Sequence, residues 1–389
     1  MDYASNNPST GDSSTRRNFL TGAATALGAA GLLSRKLLSQ APAPVPNPRR
    51  LDLHHHHASP AFKKRLSEVK RQGWDTFAGY DPIKDLEAMD AGGVQTAFLS
   101  CSTPGVWMGD DFRIERDQAI ALSRDLNEYA ARLMSDHKGR FGLFATLPLP
   151  DVDASLKEIE YAYDTLHGDG VGLLTSYGDI WLGDRRLAPV FEELNRRNAI
   201  VYTHPTDATC CHNLANANPV TLEWLVDTAR SLMSIISEGG PGMGGAGAGG
   251  GRGGRGGRGG DGPPPQSPAT RFSNCKFIWS HAGGALIGVA SRVVGGINAA
   301  QLAATPPMNS HLYHVRRFFY DTAGSTNPVL MQGIARLAGA SQIVFGTDYP
   351  FGGQAGPKGI ADGLLTCGFT QAELRGIDRE NAVRILPKY

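Results

Sequence analysis

The chain predicts an α/β fold of the (β/α)8 TIM-barrel type, and three observations carry that expectation. After Arg50, short apolar runs alternate with longer amphipathic ones through eight repeats. The first run ends in four histidines, His54 to His57, where a doubly wound sheet needs a glycine-rich phosphate turn. Histidine or aspartate also closes several later runs, and barrel enzymes place their chemistry at strand carboxyl ends.

The elements follow in order. Strands are expected at Leu51–His56, Val94–Ser100, Phe141–Leu147, Val171–Thr175, Ile200–His204, Phe277–His281, Phe318–Asp321 and Ile343–Gly346, where apolar and β-branched residues cluster between turn signals. Helices are expected between them at Pro82–Ala91, Arg116–Asp136, Ala154–Leu166, Ala188–Asn198, Leu222–Ser237, Leu286–Val294 and Pro328–Leu337, with a last one over Gln371–Leu386. The barrel therefore occupies 50–389. Gly239 to Gln266 interrupts it, nearly all glycine and proline with Arg252, Arg255 and Arg258, and is expected to be a disordered, solvated insertion between strands five and six.

Residues 1–49 stand apart. Arg16 and Arg17, followed by Asn18-Phe19-Leu20 and a mildly apolar Ala/Gly stretch from Thr21 to Leu33, resemble a twin-arginine export signal, and Ala41 to Pro48 reads as a proline-rich linker. The expected location is then periplasmic or otherwise outside the cytoplasm, with cleavage of the leader left open. The apolar stretch is short of the roughly 20 residues that a membrane span needs, so no stable span is expected. Composition narrows the function further. The 389 residues are 41% hydrophobic with a net charge of +1, which gives no footprint for nucleic acid. Five scattered cysteines, Cys101, Cys210, Cys211, Cys275 and Cys367, do not describe a disulfide framework; most are expected to be buried thiols.

Side chains alternate faces along a strand, so Asp52, His54 and His56 share one side of the first run and Leu51, Leu53, His55 and His57 the other. If the leucines pack on the helices, His54 and His56 point inward, two residues apart, where two imidazoles converge on one ion. His204 in Thr-His-Pro, His281 in Ser-His-Ala-Gly-Gly and Asp348 in Gly-Thr-Asp-Tyr-Pro are each weak alone. Together, at predicted strand ends, they describe a mononuclear metal site.

These motifs resemble the amidohydrolase superfamily. The branch resembled most contains aminocarboxymuconate-semialdehyde decarboxylase and the aromatic-acid decarboxylases. Arg140 to Asp153 and Gly170 to Asp179 are similar to its 6-methylsalicylate decarboxylase-like members. The resemblance implies His54, His56, His204 and Asp348 as ligands of one divalent ion and His281 as a catalytic residue beside it. It also implies a homodimer as a possible assembly. Binuclear members carry a bridging lysine at the end of strand four; Val171 to Tyr177 has none, which favours one ion, zinc first and manganese second. Such an ion supports two reactions. One is non-oxidative decarboxylation of a small hydroxylated, salicylate-type aromatic acid, with Asp348 or His281 as proton donor. The alternative is hydrolysis of an amide, ester or lactone by a bound water whose pKa falls to roughly 7. A non-catalytic metal-binding protein is a third reading. Trp74, Trp107, Phe112, Tyr177 and Trp181 are candidate walls for a flat substrate, and Asp321 a candidate hydrogen-bond partner of the site.

Overall fold

The computed structural model describes residues 42–69, 75–108, 115–210, 213–237, 266–296, 298–353 and 355–389. The twin-arginine stretch, the glycine-rich insertion apart from Gln266, Trp74, Phe112 and Cys211 lie outside the described residues. No helix among the described residues is long and apolar enough to cross a membrane.

Eight strands form one sheet in sequence order: β1 (Arg50–His56), β2 (Val94–Ser100), β3 (Phe141–Thr146), β4 (Gly170–Leu174), β5 (Ile200–His204), β6 (Lys276–Trp279), β7 (Phe319–Asp321) and β8 (Ile343–Val344). Every neighbouring pair is parallel. The ring closes where Leu53 N donates to Phe345 O (2.9 Å) and His55 bridges in parallel to Tyr349. This is the expected barrel, with strands ending within a few residues of their predicted limits.

The covering helices begin where the sequence supplies caps. Helices α1 (Pro60–Val69), α2 (Pro82–Ala91), α3 (Arg116–Asp136), α4 (Val152–Asp164), α5 (Ala188–Arg196), α6 (Glu223–Ile236), α7 (Leu286–Val293), α8 (Pro328–Leu337) and α9 (Gly356–Leu364) fill the connections. Asp81 accepts from Ile83 N ahead of Pro82, Asp151 from Ala154 N, and Asn327 from Leu330 N ahead of Pro328; each satisfies a donor that the helix cannot satisfy itself. In α3, Ala119, Leu122, Leu126, Ala130 and Leu133 recur at helical spacing and are buried.

Two apolar layers result. Leu51, Leu53, Phe98, Phe144, Tyr202 and Ile278 fill the barrel, and Ala382 and Leu386 from the C-terminal segment pack into the same cluster. Ala97, Leu99, Leu143, Val171, Val201 and Phe277 face the helices.

This layering corrects the parity argument for β1. Leu51 and Leu53 lie inside the barrel, not against the helices, and Asp52 lies outside with Ala97 of β2. The register explains how His54 and His56 still point inward. Asp52 pairs with Ala97 but His55 pairs with Leu99, so β1 spends three residues where β2 spends two. That bulge adds one residue and inverts the alternation beyond Leu53. His55 and His57 then face outward. His55 is held between Asp52 Oδ2 and Asp85 Oδ1, each at 2.8 Å, and His57 Nε2 donates to Leu126 O of α3 at 3.1 Å.

Three further differences have local causes. The expected final helix breaks into Gln371–Arg375, a wide turn over Gly376–Glu380, and Asn381–Val383. The turn puts buried Asp378 onto Arg50 Nε at 2.7 Å. α9, whose glycine and proline content hides it from propensity, packs onto α2 at Gly92, where a Cβ would lie 2.6 Å from Pro357 Cβ. α1 starts on Pro60 and was not anticipated; it buries Phe62 and Leu66. Cys101, Cys275 and Cys367 are buried thiols, as expected, while Cys210 is exposed.

Burial alone would push the His55 imidazole down, but the Asp85 and Asp52 carboxylates outweigh it and raise it from 6.5 to about 10. Its contribution to stability is therefore complete below pH 6.5 and is lost as pH rises through the folded value. Urea unfolding near pH 6 is expected to show Asp85→Ala less stable by about 3–5 kcal/mol, because a buried imidazolium loses a partner. The gap should narrow toward pH 10; a small gap that ignores pH would contradict this reading.

Candidate metal centre

At the carboxyl end of the barrel, β1 supplies His54 and His56, β5 ends on His204, and the segment after β8 supplies Asp348. One ligand atom from each lies within 4.8 Å of every other. Among the described residues this is the group of histidine, cysteine and acidic side chains whose geometry fits a metal ion. His54 Nε2 is 3.1 Å from His56 Nε2, Asp348 Oδ1 is 3.0 and 3.1 Å from those two nitrogens, and His204 Nε2 is 4.0 Å from Asp348 Oδ1.

The outer partners fix which nitrogen faces the centre. Asp321 at the end of β7 accepts from His54 Nδ1 at 2.7 Å. Pro205 O accepts from His204 Nδ1 at 2.8 Å. Ser100 Oγ donates to His55 O, so toward His56 Nδ1, 3.1 Å away, it acts as acceptor. Each imidazole is thus protonated on its outer nitrogen and turns the Nε2 lone pair inward. Three lone pairs and a carboxylate oxygen aimed at one point repel unless a cation or a shared proton lies between them. The donor set, three imidazole nitrogens and one carboxylate oxygen, fits a divalent ion.

The charges point the same way. Burial works against the His54 cation, but Asp321 and Asp348 raise the group to about 10. Burial lowers His56 to about 4, with the His54 charge adding to the fall. Burial, then His56 and His54, hold His204 well below the usual imidazole range. Asp348 is opposed by burial yet held well below the ordinary carboxylate range by His54. The Asp321 and Asp348 carboxylates thus favour positive charge at this point, which a metal cation would supply on binding in place of a proton.

His281 sits beside this group. Its ring centroid is 4.9 Å from that of His54, and Nδ1 is bonded to Ala323 O at 2.9 Å. β6 stops at Trp279, two residues short of the expected end, because His281 and Ala282 turn into the left-handed region at φ 50° and 55°. Asp321 holds that turn as well, its Oδ1 accepting from His281 N at 2.8 Å and Ala323 N at 3.1 Å. The candidate partner Asp321 thus orients His54 and His281 together. Gly346 is required beneath it: a Cβ there would meet His54 Cβ at 2.7 Å and Asp321 Cβ at 3.0 Å.

The aromatic candidates fare differently. Tyr177 is buried, and its hydroxyl accepts from Leu174 N. Trp181 Nε1 donates to Asp227. Trp107 packs against the cluster containing Phe62 and Met108. Other rings stand next to the imidazoles: Phe351 and Phe77 lie 6.0 and 6.4 Å from His56, and Trp224 lies 6.0 Å from His204. Phe351 follows Asp348 by three residues but was not among the candidates; Phe77 and Trp224 arrive from distant segments and carried no signal.

The amidohydrolase family model matches residues 52–388. A decarboxylase of Aspergillus niger, yanB, is 30% identical over 360 residues, covering 87% of this chain and 88% of that one. A 6-methylsalicylic acid decarboxylase of Penicillium expansum is 30% identical, covering 77% and 85%. A Polaromonas dihydroxybenzoic acid decarboxylase, solved with manganese and 2-nitroresorcinol, shares the fold at TM-score 0.66 and 18% identity, covering 87% and 96%. With a family match that spans the whole barrel and relatives of similar length, the chain belongs to the amidohydrolase family.

Proposed function

We propose that this protein is a metal-dependent, non-oxidative decarboxylase of a small hydroxylated aromatic acid of the salicylate type. The observation that carries the reading is the convergence of three imidazole Nε2 atoms and one carboxylate within 4.8 Å. It occurs in a chain whose relatives over most of its length are decarboxylases. His54, His56, His204 and Asp348 are the proposed ligands, and Phe77, Phe351 and Trp224 bring aromatic surface to the same place, which suits a flat ring. Three imidazoles and a carboxylate favour zinc, with manganese as the second candidate. When bound, the ion would supply positive charge that orients the substrate's carboxylate and stabilises the ionised form of its ortho oxygen.

The chain's own residues do the rest. The ring carbon bearing the carboxylate takes a proton, the bond to the carboxylate carbon breaks, CO2 departs, and the bonding pair restores the aromatic ring. Asp348 and His281 are the proposed carriers of that proton. The His54 charge holds the Asp348 carboxyl well below the ordinary carboxylate range, so a proton it delivers reaches it first from the substrate or from His281. His281, pinned through Nδ1 to Ala323 O, leaves Nε2 as its exchanging atom. Proton delivery of this kind contributes about 10²–10⁴-fold.

The leader and the insertion complete the proposal. The twin-arginine resemblance supports export, with the ion loaded before translocation. The insertion is proposed to be a spacer. α6, which ends at Ile236, packs on the short helix Pro268–Arg271, so described elements on the two sides of the insertion touch directly. A homodimer is proposed on the family resemblance alone.

Incubating the metal-loaded protein with salicylate-type acids is expected to yield equal amounts of CO2 and the corresponding phenol. Turnover of esters, lactones or amides without CO2 would favour the hydrolase, and tight metal binding without turnover of either panel would leave a binding protein. His281→Ala should retain metal and lose about 10²-fold or more in kcat; near-parental kcat would remove it from proton transfer.

Elemental analysis is expected to find His204→Ala depleted of metal. Asp321→Ala should bind metal about 10–100-fold more weakly through its loss of the bond to His54. Full occupancy in both variants would remove these residues from the centre.

Deleting Gly239–Gln266 is expected to leave kcat and KM close to parental. Loss of soluble, folded protein would assign the segment a structural role.

A further inference from the structure

Half of the histidine run is not used by the metal centre. We propose that the outward-facing group Asp52, His55 and Thr347 is a positioning device that sets where the Asp348 carboxylate stands, and so governs both metal affinity and proton delivery; this deepens the decarboxylase reading and rests on it.

Asp348 sits at φ 60°, in the left-handed region that a residue other than glycine keeps only when its surroundings hold it there. Something must over-determine it. The segment leaves β8 after Val344 and has no regular strand pairing of its own. On the β7 side, Thr322 Oγ1 donates to Gly346 O at 2.9 Å and accepts from Gly346 N at 3.0 Å. On the β1 side, Thr347 N donates to Asp52 Oδ1 at 3.0 Å and Thr347 Oγ1 to Asp52 Oδ2 at 2.6 Å. Asp348 N donates to His54 O at 2.8 Å, and Tyr349 N reaches Thr347 Oγ1 at 3.3 Å. His56 N returns to Tyr349 O at 2.9 Å. The Tyr349 ring stacks on His55, centroids 4.9 Å apart and planes 16° from parallel.

Asp348 thus lies between two residues clamped to the outer face of β1. His55 holds that clamp rigid: it is wedged between Asp52 and Asp85, all three side chains fully buried. The Thr347 hydroxyl is the joint. It links the carboxylate of Asp52 to the backbone of Tyr349, on either side of the residue that reaches into the barrel. A sub-ångström change at Thr347 is carried to an oxygen that must meet three imidazole nitrogens, where small displacements are costly.

Thr347→Val keeps the shape and removes the hydroxyl; Thr347→Ser keeps the hydroxyl. Tyr349→Leu, which removes the stacked ring, is an independent second variant. Zinc affinity is read by competition with a chromophoric chelator, kcat and KM by CO2 release, folding by thermal melting, and order in 347–349 by amide hydrogen exchange of the metal-free protein. Thr347→Val is expected to bind zinc about 10–100-fold more weakly. Its kcat should fall with KM largely kept, and exchange at 347–349 should be faster. Thr347→Ser should restore all three, and Tyr349→Leu should move them in the direction of Thr347→Val. Parental zinc affinity and kcat in both Thr347→Val and Tyr349→Leu would overturn the positioning role. So would a Thr347→Ser protein as impaired as Thr347→Val, or losses that track melting temperature alone. A parent that binds zinc but releases no CO2 would sink the decarboxylase reading while leaving the zinc and exchange comparison decisive for Thr347. A parent that binds no metal would overturn both.

Discussion

The one-residue bulge in β1 between Asp52 and His55 is the constraint on which the site depends. Below it, Leu51 and Leu53 fill the barrel; above it, His54 and His56 do. With regular alternation through the same stretch, the leucines and those imidazoles would face opposite sides, and either the interior packing or the convergence on Asp348 would be lost. The bulge lets seven residues carry an apolar floor and a polar ceiling on the same face. Bulges near functional sites commonly re-aim side chains in this way.

The same inversion turns His55 and His57 outward, where they bind the barrel to its surroundings. His55 ties β1 to α2 through Asp85 and to the β8 end through Asp52 and Thr347; His57 ties it to α3. Asp321 performs the matching task inside, orienting His54 with one oxygen and the His281 turn with the other. Each inward lone pair is therefore paired with an outward bond that fixes its tautomer. That pairing is what distinguishes a metal-holding cluster from histidines that merely happen to be buried.

Most of the barrel was legible because strand and helix periods differ and the chain alternates between them without ambiguity. The inward residues His54, His56, His204 and Asp348 were legible from motif and position, yet strand parity placed His54 and His56 inward only by way of a wrong premise about the leucines. A bulge leaves no mark in an apolar/polar pattern, so the leucines were assigned to the helices. Asp52 looked like a companion of the site when it anchors the opposite face. Helix α9 was hidden because Gly356, Gly359 and Gly363 oppose its propensity and tertiary packing, on α2 and into the main core through Ala361 and Leu364, sustains it. The rings beside the imidazoles come from 77, 224 and 351, and their meeting is a property of the fold, not of any local pattern.

The central claim is that these four side chains grip one divalent cation. X-ray absorption at the metal edge of the purified holoprotein tests it most directly. The account predicts three imidazole nitrogens and at least one carboxylate oxygen at about 2.0–2.2 Å, with the multiple-scattering signature of histidine rings. A coordination shell without imidazole, or protein that holds no stoichiometric metal after loading, would contradict it.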